Sequence, residues 1–154
     1  MLKIQEFKGL TDSEAKQLYQ APALIAILIA SADSEIHEEE TGWAKKVMGY
    51  RQEVGVEALF NYYEIADTYF DEAIQVLLTD GKGVQERISF LETALATLNP
   101  LLAKVDDMFA IELTKSWRSF AKQVAKSAGG FLGFGSVSEQ EARLMTLSMI
   151  DVSE

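Results

Sequence analysis

Apolar residues recur three and four positions apart through most of the chain, and strand-like alternation is nearly absent, which predicts an all-helical protein. The clearest segment is "DDMFAIELTKSWRSFAKQVAKSA", where Phe109, Leu113, Trp117, Phe120 and Val124 share one continuous apolar face. "TDSEAKQLYQ" predicts a first helix opened by a capping box, with Thr11 as the cap and Glu14 reaching back to it. Pro22 suits the first turn of a separate second helix, "PALIAILIASA", whose apolar character on nearly every face predicts the buried centre of a bundle. A third helix is expected from about His37 to Arg51, with Trp43, Val47 and Tyr50 as its inward stripe.

Further along, "GVEALFNYYEIADTYFDEAIQVLLTDGKG" predicts one or two helices ending at Gly81 and Gly83. "VQERISFLETALATL" should stop before Pro100, because the residue ahead of a proline is steered away from the helical region. A last helix, "SEQEARLMTLSMI", is expected to begin at Ser138 with a second capping box to Glu141. The expectation is an all-α fold, a single compact bundle of about seven helices spanning 1–154 with no linker inside it. "SEIHEEE", Ser34 to Glu40, also echoes "GSVSEQE", Gly135 to Glu141, and "IASA" echoes "AKSA" upstream. The chain therefore reads as two helix–turn–helix units, the second carrying an insertion in its glycine-rich turn.

Composition narrows the chemistry. The net charge is −10, from 14 basic and 24 acidic residues, so attraction to nucleic-acid phosphates and anionic membranes is disfavoured. With no cysteine and one histidine, disulfides, thiolate nucleophiles and Cys-rich zinc sites are excluded, and a bound metal would be held mainly by oxygen. The N-terminus has no signal-peptide core, and the most apolar run, Ala21 to Ala30, is shorter than the roughly 20 residues needed to span a bilayer. A cytoplasmic protein without a transmembrane segment is expected.

"SADSEIHEEE", Ser31 to Glu40, concentrates five carboxylates. It fails as an EF-hand, since counting from Asp33 puts Glu38 where glycine is required and Ala44 where the bidentate glutamate belongs. Asp33 and Glu35 in the turn, with Glu39 and Glu40 from the helix start, form a looser candidate site for calcium, magnesium or manganese. The competing account is a plain helix start, where each carboxylate gains ~0.3–1 kcal/mol from unpaired N–H groups and the dipole. A protein-docking patch is the third.

Other features weigh less. His37 lacks a second His or Cys and reads as a cap-position residue. No HExxH, GxSxG or Walker motif is present, and "TDGKG" lacks phosphate-loop spacing, so a non-enzyme is expected. A hydrolase using paired carboxylates would need one buried carboxyl with a raised pKa. Lys115, Arg118, Lys122 and Lys126 make a basic stripe beside the apolar face of their helix, suited to an acidic partner or simply to solvent. In "GGFLGFG", Gly129 to Gly135, one of the first two glycines is expected to end that helix in a left-handed cap, with the loop's aromatics packed on the core or offered to a partner.

The small-residue-rich helix followed by "ADS", an apolar residue, a short gap and glutamate resembles the tellurite-resistance TerB family and the related domain of the co-chaperone DjlA. Ala32, Asp33, Ser34, Ile36, Glu39 and Glu40 carry the resemblance, echoed by Val137, Ser138 and Glu141. Ser34 stands where that family usually has glycine, and "GGFLGFG" replaces a second acidic turn. The resemblance implies a non-catalytic binding domain in a stress or metal-resistance system, divalent-cation-dependent through Asp33, Glu35, Glu39 and Glu40. The alternative is a metal-independent module that docks onto another protein.

Overall fold

Pro22 does not begin a helix; it sits inside one. The computed structural model describes residues 1–32, 38–131 and 139–152, with the side chains of 38, 39 and 127–131 not described. Its first long helix, α1, runs unbroken over Asp12–Ser31 and merges the two helices expected there. Proline has no N–H, so the Leu18 carbonyl four residues upstream loses its helical donor. The Tyr62 hydroxyl donates to that carbonyl at 2.6 Å and itself accepts from the Trp117 indole Nε1 at 3.1 Å. Leu18, Tyr62 and Trp117 are all completely buried. The proline is thereby accommodated by a side chain distant in sequence, which the local pattern cannot reveal.

Tyr62 belongs to α3, Phe60–Leu78, and Trp117 to α6, Asp107–Phe131. That hydrogen-bonded chain thus ties three helices at the centre of the molecule. Between them lie α4, Val84–Ala96, and the single turn α5, Asn99–Leu102, with Pro100 in its first turn. α2 spans Glu38–Tyr50 and α7 spans Glu139–Leu144. Short 3-10 turns occupy Gln5–Phe7 and Glu57–Leu59, and the described residues contain no strand. α1 is the hub, packing on α3, α4 and α6, while α2 lies against α3 and α6.

The reason is compositional: Ile25, Ile27, Leu28 and Ile29 are all fully buried, and each such side chain contributes about 1.5–3 kcal/mol by leaving water. Around them Phe7, Tyr19, Tyr62, Tyr63 and Phe109 form an aromatic cluster with ring centroids 5.0–6.1 Å apart. The expected capping box is present, Thr11 Oγ1 accepting from the Glu14 amide at 3.1 Å and Glu14 Oε1 accepting from the Thr11 amide at 2.9 Å. The α6 face is also as expected, since Phe109, Leu113, Trp117, Phe120 and Val124 are each 6% exposed or less. No described helix is long and apolar enough to cross a membrane.

Three expectations need correcting. The inward stripe of α2 is Glu40, Ala44, Val47 and Met48; Trp43 and Tyr50 point outward, 44% and 69% exposed. Two overlapping stripes compete on this helix, and close packing on α3 and α6 selects the one carrying the smaller Ala44. Second, α6 continues through Gly129 and Gly130 to Phe131 instead of ending at either. Glycine within a helix costs about 1 kcal/mol relative to alanine but does not forbid it. Third, α7 ends at Leu144, well before Ile150. Leu147 turns left-handed, φ 48°, to bury its side chain completely. On both sides of that turn the chain is held by Arg118, which donates to the carbonyls of Thr146, Ile150 and Val152 at 2.9–3.0 Å.

Candidate functional site

Where α2 diverges from α6 the surface opens into a cleft of about 680 Å³. Trp43, Val47 and Tyr50 come from α2, and Glu112, Lys115, Ser116, Ser119 and Gln123 project from α6 at helical spacing. The segment joining α2 to α3 closes one end with Val54, Gly55 and Val56. Gly55 has φ 112°, a conformation that residues with side chains avoid, and it makes the tight return possible. Buried Leu59 and Tyr63 complete the lining.

Two properties of this cleft bear on its role. First, Trp43, Tyr50, Val54 and Val56, exposed by 44%, 69%, 56% and 45%, place apolar side chains in solvent along one opening. Monomeric proteins seldom gather large exposed apolar residues without a reason of binding. Second, the cleft contains a half-buried cation, Arg51, that forms no ion pair among the described residues. Its Nη1 donates to Ser116 Oγ at 2.7 Å and to the Ser116 carbonyl at 3.3 Å. Its Nη2 donates to Ser119 Oγ at 3.1 Å and to Gln123 Oε1 at 2.5 Å. Every acceptor is neutral.

The guanidinium also lies 5.6 Å from the Tyr63 ring centroid and 5.9 Å from that of Phe120. Tyr63 shares a 2.5 Å hydrogen bond with Ser116 Oγ. Burial pushes the Tyr63 phenol above its ordinary pKa, with the Arg51 charge pulling the other way. Lys46 and Lys115 add two more cations, and Glu112 is the one acid among the lining residues. On a chain of net charge −10 the cleft is therefore a local basic exception. It offers apolar contact, aromatic faces and a pre-positioned guanidinium, which is the chemistry of recognition.

Asp33, Glu35 and His37 lie outside the described residues, as does the side chain of Glu39. Glu40 is described, and it is turned inward, only 3% exposed, in the first turn of α2. Glu141, its counterpart in the echo between the two halves, is equally buried in the first turn of α7. An ordinary helix-start carboxylate is solvated, so this burial demands compensation by donors or cations.

The basic stripe is not one surface. Arg118 is consumed in holding the C-terminal segment, and partial burial lowers its pKa from the usual arginine value. Lys115 lines the cleft, while Lys122 and Lys126 face solvent. Trp43, Tyr50 and Val47 stood out in the sequence, but as core residues. Ser116, Ser119 and Gln123 carried a signal in their spacing of three, four and seven along α6, although nothing in sequence pairs them with Arg51. Comparison of the chain with protein-family models, with curated proteins and with solved structures gives no match.

Proposed function

We propose that this chain is a non-catalytic binding module whose contact surface is the cleft between α2 and α6, and that its partner is another protein. The observation that carries this reading is the meeting of four exposed large apolar side chains with an arginine held only by neutral acceptors. Tryptophan, tyrosine and arginine are the residues on which interface energy concentrates. A photo-crosslinking residue in place of Tyr50 tests the reading in the native cell. Defined crosslinked partners should appear from position 50 and be absent from the exposed position of Lys8; equal, diffuse crosslinking from both removes the cleft as the contact surface.

A second reading keeps the divalent cation, and the inward placement of Glu40 supports it. Here Asp33, Glu35, Glu39 and Glu40 would bind calcium, magnesium or manganese, and the ion would fix the segment ahead of α2 and so the position of Trp43. The TerB-like resemblance is what attaches this version to a cytoplasmic stress or metal-resistance role. Calorimetric titration with each ion should give heat that Glu40→Gln diminishes. Heat no greater than dilution, or heat untouched by that substitution, eliminates the cation site.

A further inference from the structure

The two ends of the Arg51 guanidinium are held differently. Nη1 is anchored to Ser116, a buried residue, whereas both acceptors on Nη2 belong to exposed residues, Ser119 and Gln123. A carboxylate arriving from solvent can replace the exposed pair while the buried anchor keeps the guanidinium in place. The exchange is favourable because a hydrogen bond between two charged groups is roughly twice as strong as one to a neutral acceptor. Lys46 stands exposed on the same opening, with no ion-pair partner among the described residues.

Around this charge the cleft is open rather than enclosing. A small ligand normally has 70–90% of its surface buried, but Tyr50 and Val54 keep more than half of theirs in water at the lip. Covering them requires an occupant larger than the hollow itself. Two helices separated by such a groove suit an amphipathic segment laid between them. Nucleic acid is disfavoured by the −10 charge of the whole chain, which a polyanion meets in full and a short segment with one or two carboxylates does not.

We infer that the cleft between α2 and α6 receives a short acidic amphipathic segment of a partner protein, its apolar side chains against Trp43 and Tyr50 and a carboxylate on Nη2 of Arg51. This rests on the cleft being the contact surface, and it adds the chemistry of what binds there.

The probes are synthetic peptides about four helical turns long, with leucine and phenylalanine at helical spacing and glutamate between them. Matched peptides carry glutamine or lysine at the glutamate positions, and indole-3-acetate serves as a small aromatic carboxylate. The readout is the NMR signals of the Trp43 indole N–H and the Arg51 guanidinium in the full chain. Glutamate peptides should shift both signals and bind about tenfold or more tightly than the glutamine forms, with lysine forms weaker still. Arg51→Gln should remove that preference. Because Arg51 also bridges α2 to α6, the exposed Lys46→Glu provides a second variant that leaves the fold alone and should weaken glutamate peptides selectively.

Equal binding of glutamate and glutamine peptides overturns the inference, as does a response to indole-3-acetate with none to any peptide, or peptide-induced shifts that leave Trp43 unmoved. Each of those results is separable from the crosslinking test: a defined partner captured at position 50 whose contact segment lacks carboxylates defeats the acidic segment and leaves the cleft standing, while absence of capture defeats the cleft.

Discussion

The junction of α1, α3 and α6 and the cleft between α2 and α6 are built from the same residue types and finish in opposite states. At the junction a tryptophan and a tyrosine are wholly buried, and each polar atom is spent: Trp117 donates to Tyr62, and Tyr62 donates to the carbonyl that Pro22 leaves open. At the cleft a tryptophan and a tyrosine stand in water beside an arginine with neutral acceptors. Aromatic content alone therefore says nothing about role. What separates a structural aromatic from a recognition aromatic is whether its contacts are already complete within the chain.

The sharpest way to break this contrast is Tyr62→Phe, which removes only a hydroxyl yet strips a partner from two buried groups. At roughly 1–3 kcal/mol for each orphaned group, the loss should be about 3 kcal/mol in urea unfolding. In a Pro22→Ala background the restored N–H serves the Leu18 carbonyl, so the same substitution should cost at least about 1 kcal/mol less. An identical cost in both backgrounds would show that the tyrosine does not compensate the proline.

Next in size, Arg118→Met should cost about 2 kcal/mol, because three carbonyls lose a charged donor. Amide exchange should speed up across 147–152 ahead of the rest of the molecule. Protection that is unchanged there would mean the C-terminal segment is held by its apolar residues and by Asn99, which donates to the Met149 carbonyl at 2.8 Å and accepts from the Asp151 amide at 2.9 Å. On the other side of the comparison, Trp43→Ala and Tyr50→Ala should change stability by no more than about 0.5 kcal/mol, since neither contributes to the core. A loss comparable to that of a buried aromatic would make them structural after all.

The smallest effect concerns a surface turn. Asp80 accepts from the Lys82 amide at 3.0 Å and meets Arg87 at 3.4 Å, and these contacts hold its carboxyl below the ordinary aspartate value. Its stabilising contribution is complete above a pH of about 4 and disappears as acidification carries the pH down through the lowered folded-state value. The stability gap between the natural protein and Asp80→Asn should therefore be open at neutral pH and close on acidification; a gap constant with pH would assign it to packing.

Local signals carried much of this architecture. The α6 face and the Thr11 capping box lie within one helix each, and both were readable because periodicity and capping act over three or four residues. The continuity of α1 through Pro22 was not readable, as it depends on Tyr62, forty positions away in the chain. The cleft was hidden for a related reason. On α2 the apolar pattern fits two overlapping stripes, and only the packing of Ala44 and Met48 decides that Trp43 and Tyr50 turn outward. Of the candidate cation ligands, the burial of Glu40 was unforeseen, since a helix-start glutamate ordinarily faces water.

In a protein carrying the photo-crosslinker at position 50, Trp43→Ala should abolish partner capture while the thermal midpoint stays where it was. Capture that survives undiminished in a folded Trp43→Ala protein would contradict the cleft as the surface through which this chain acts.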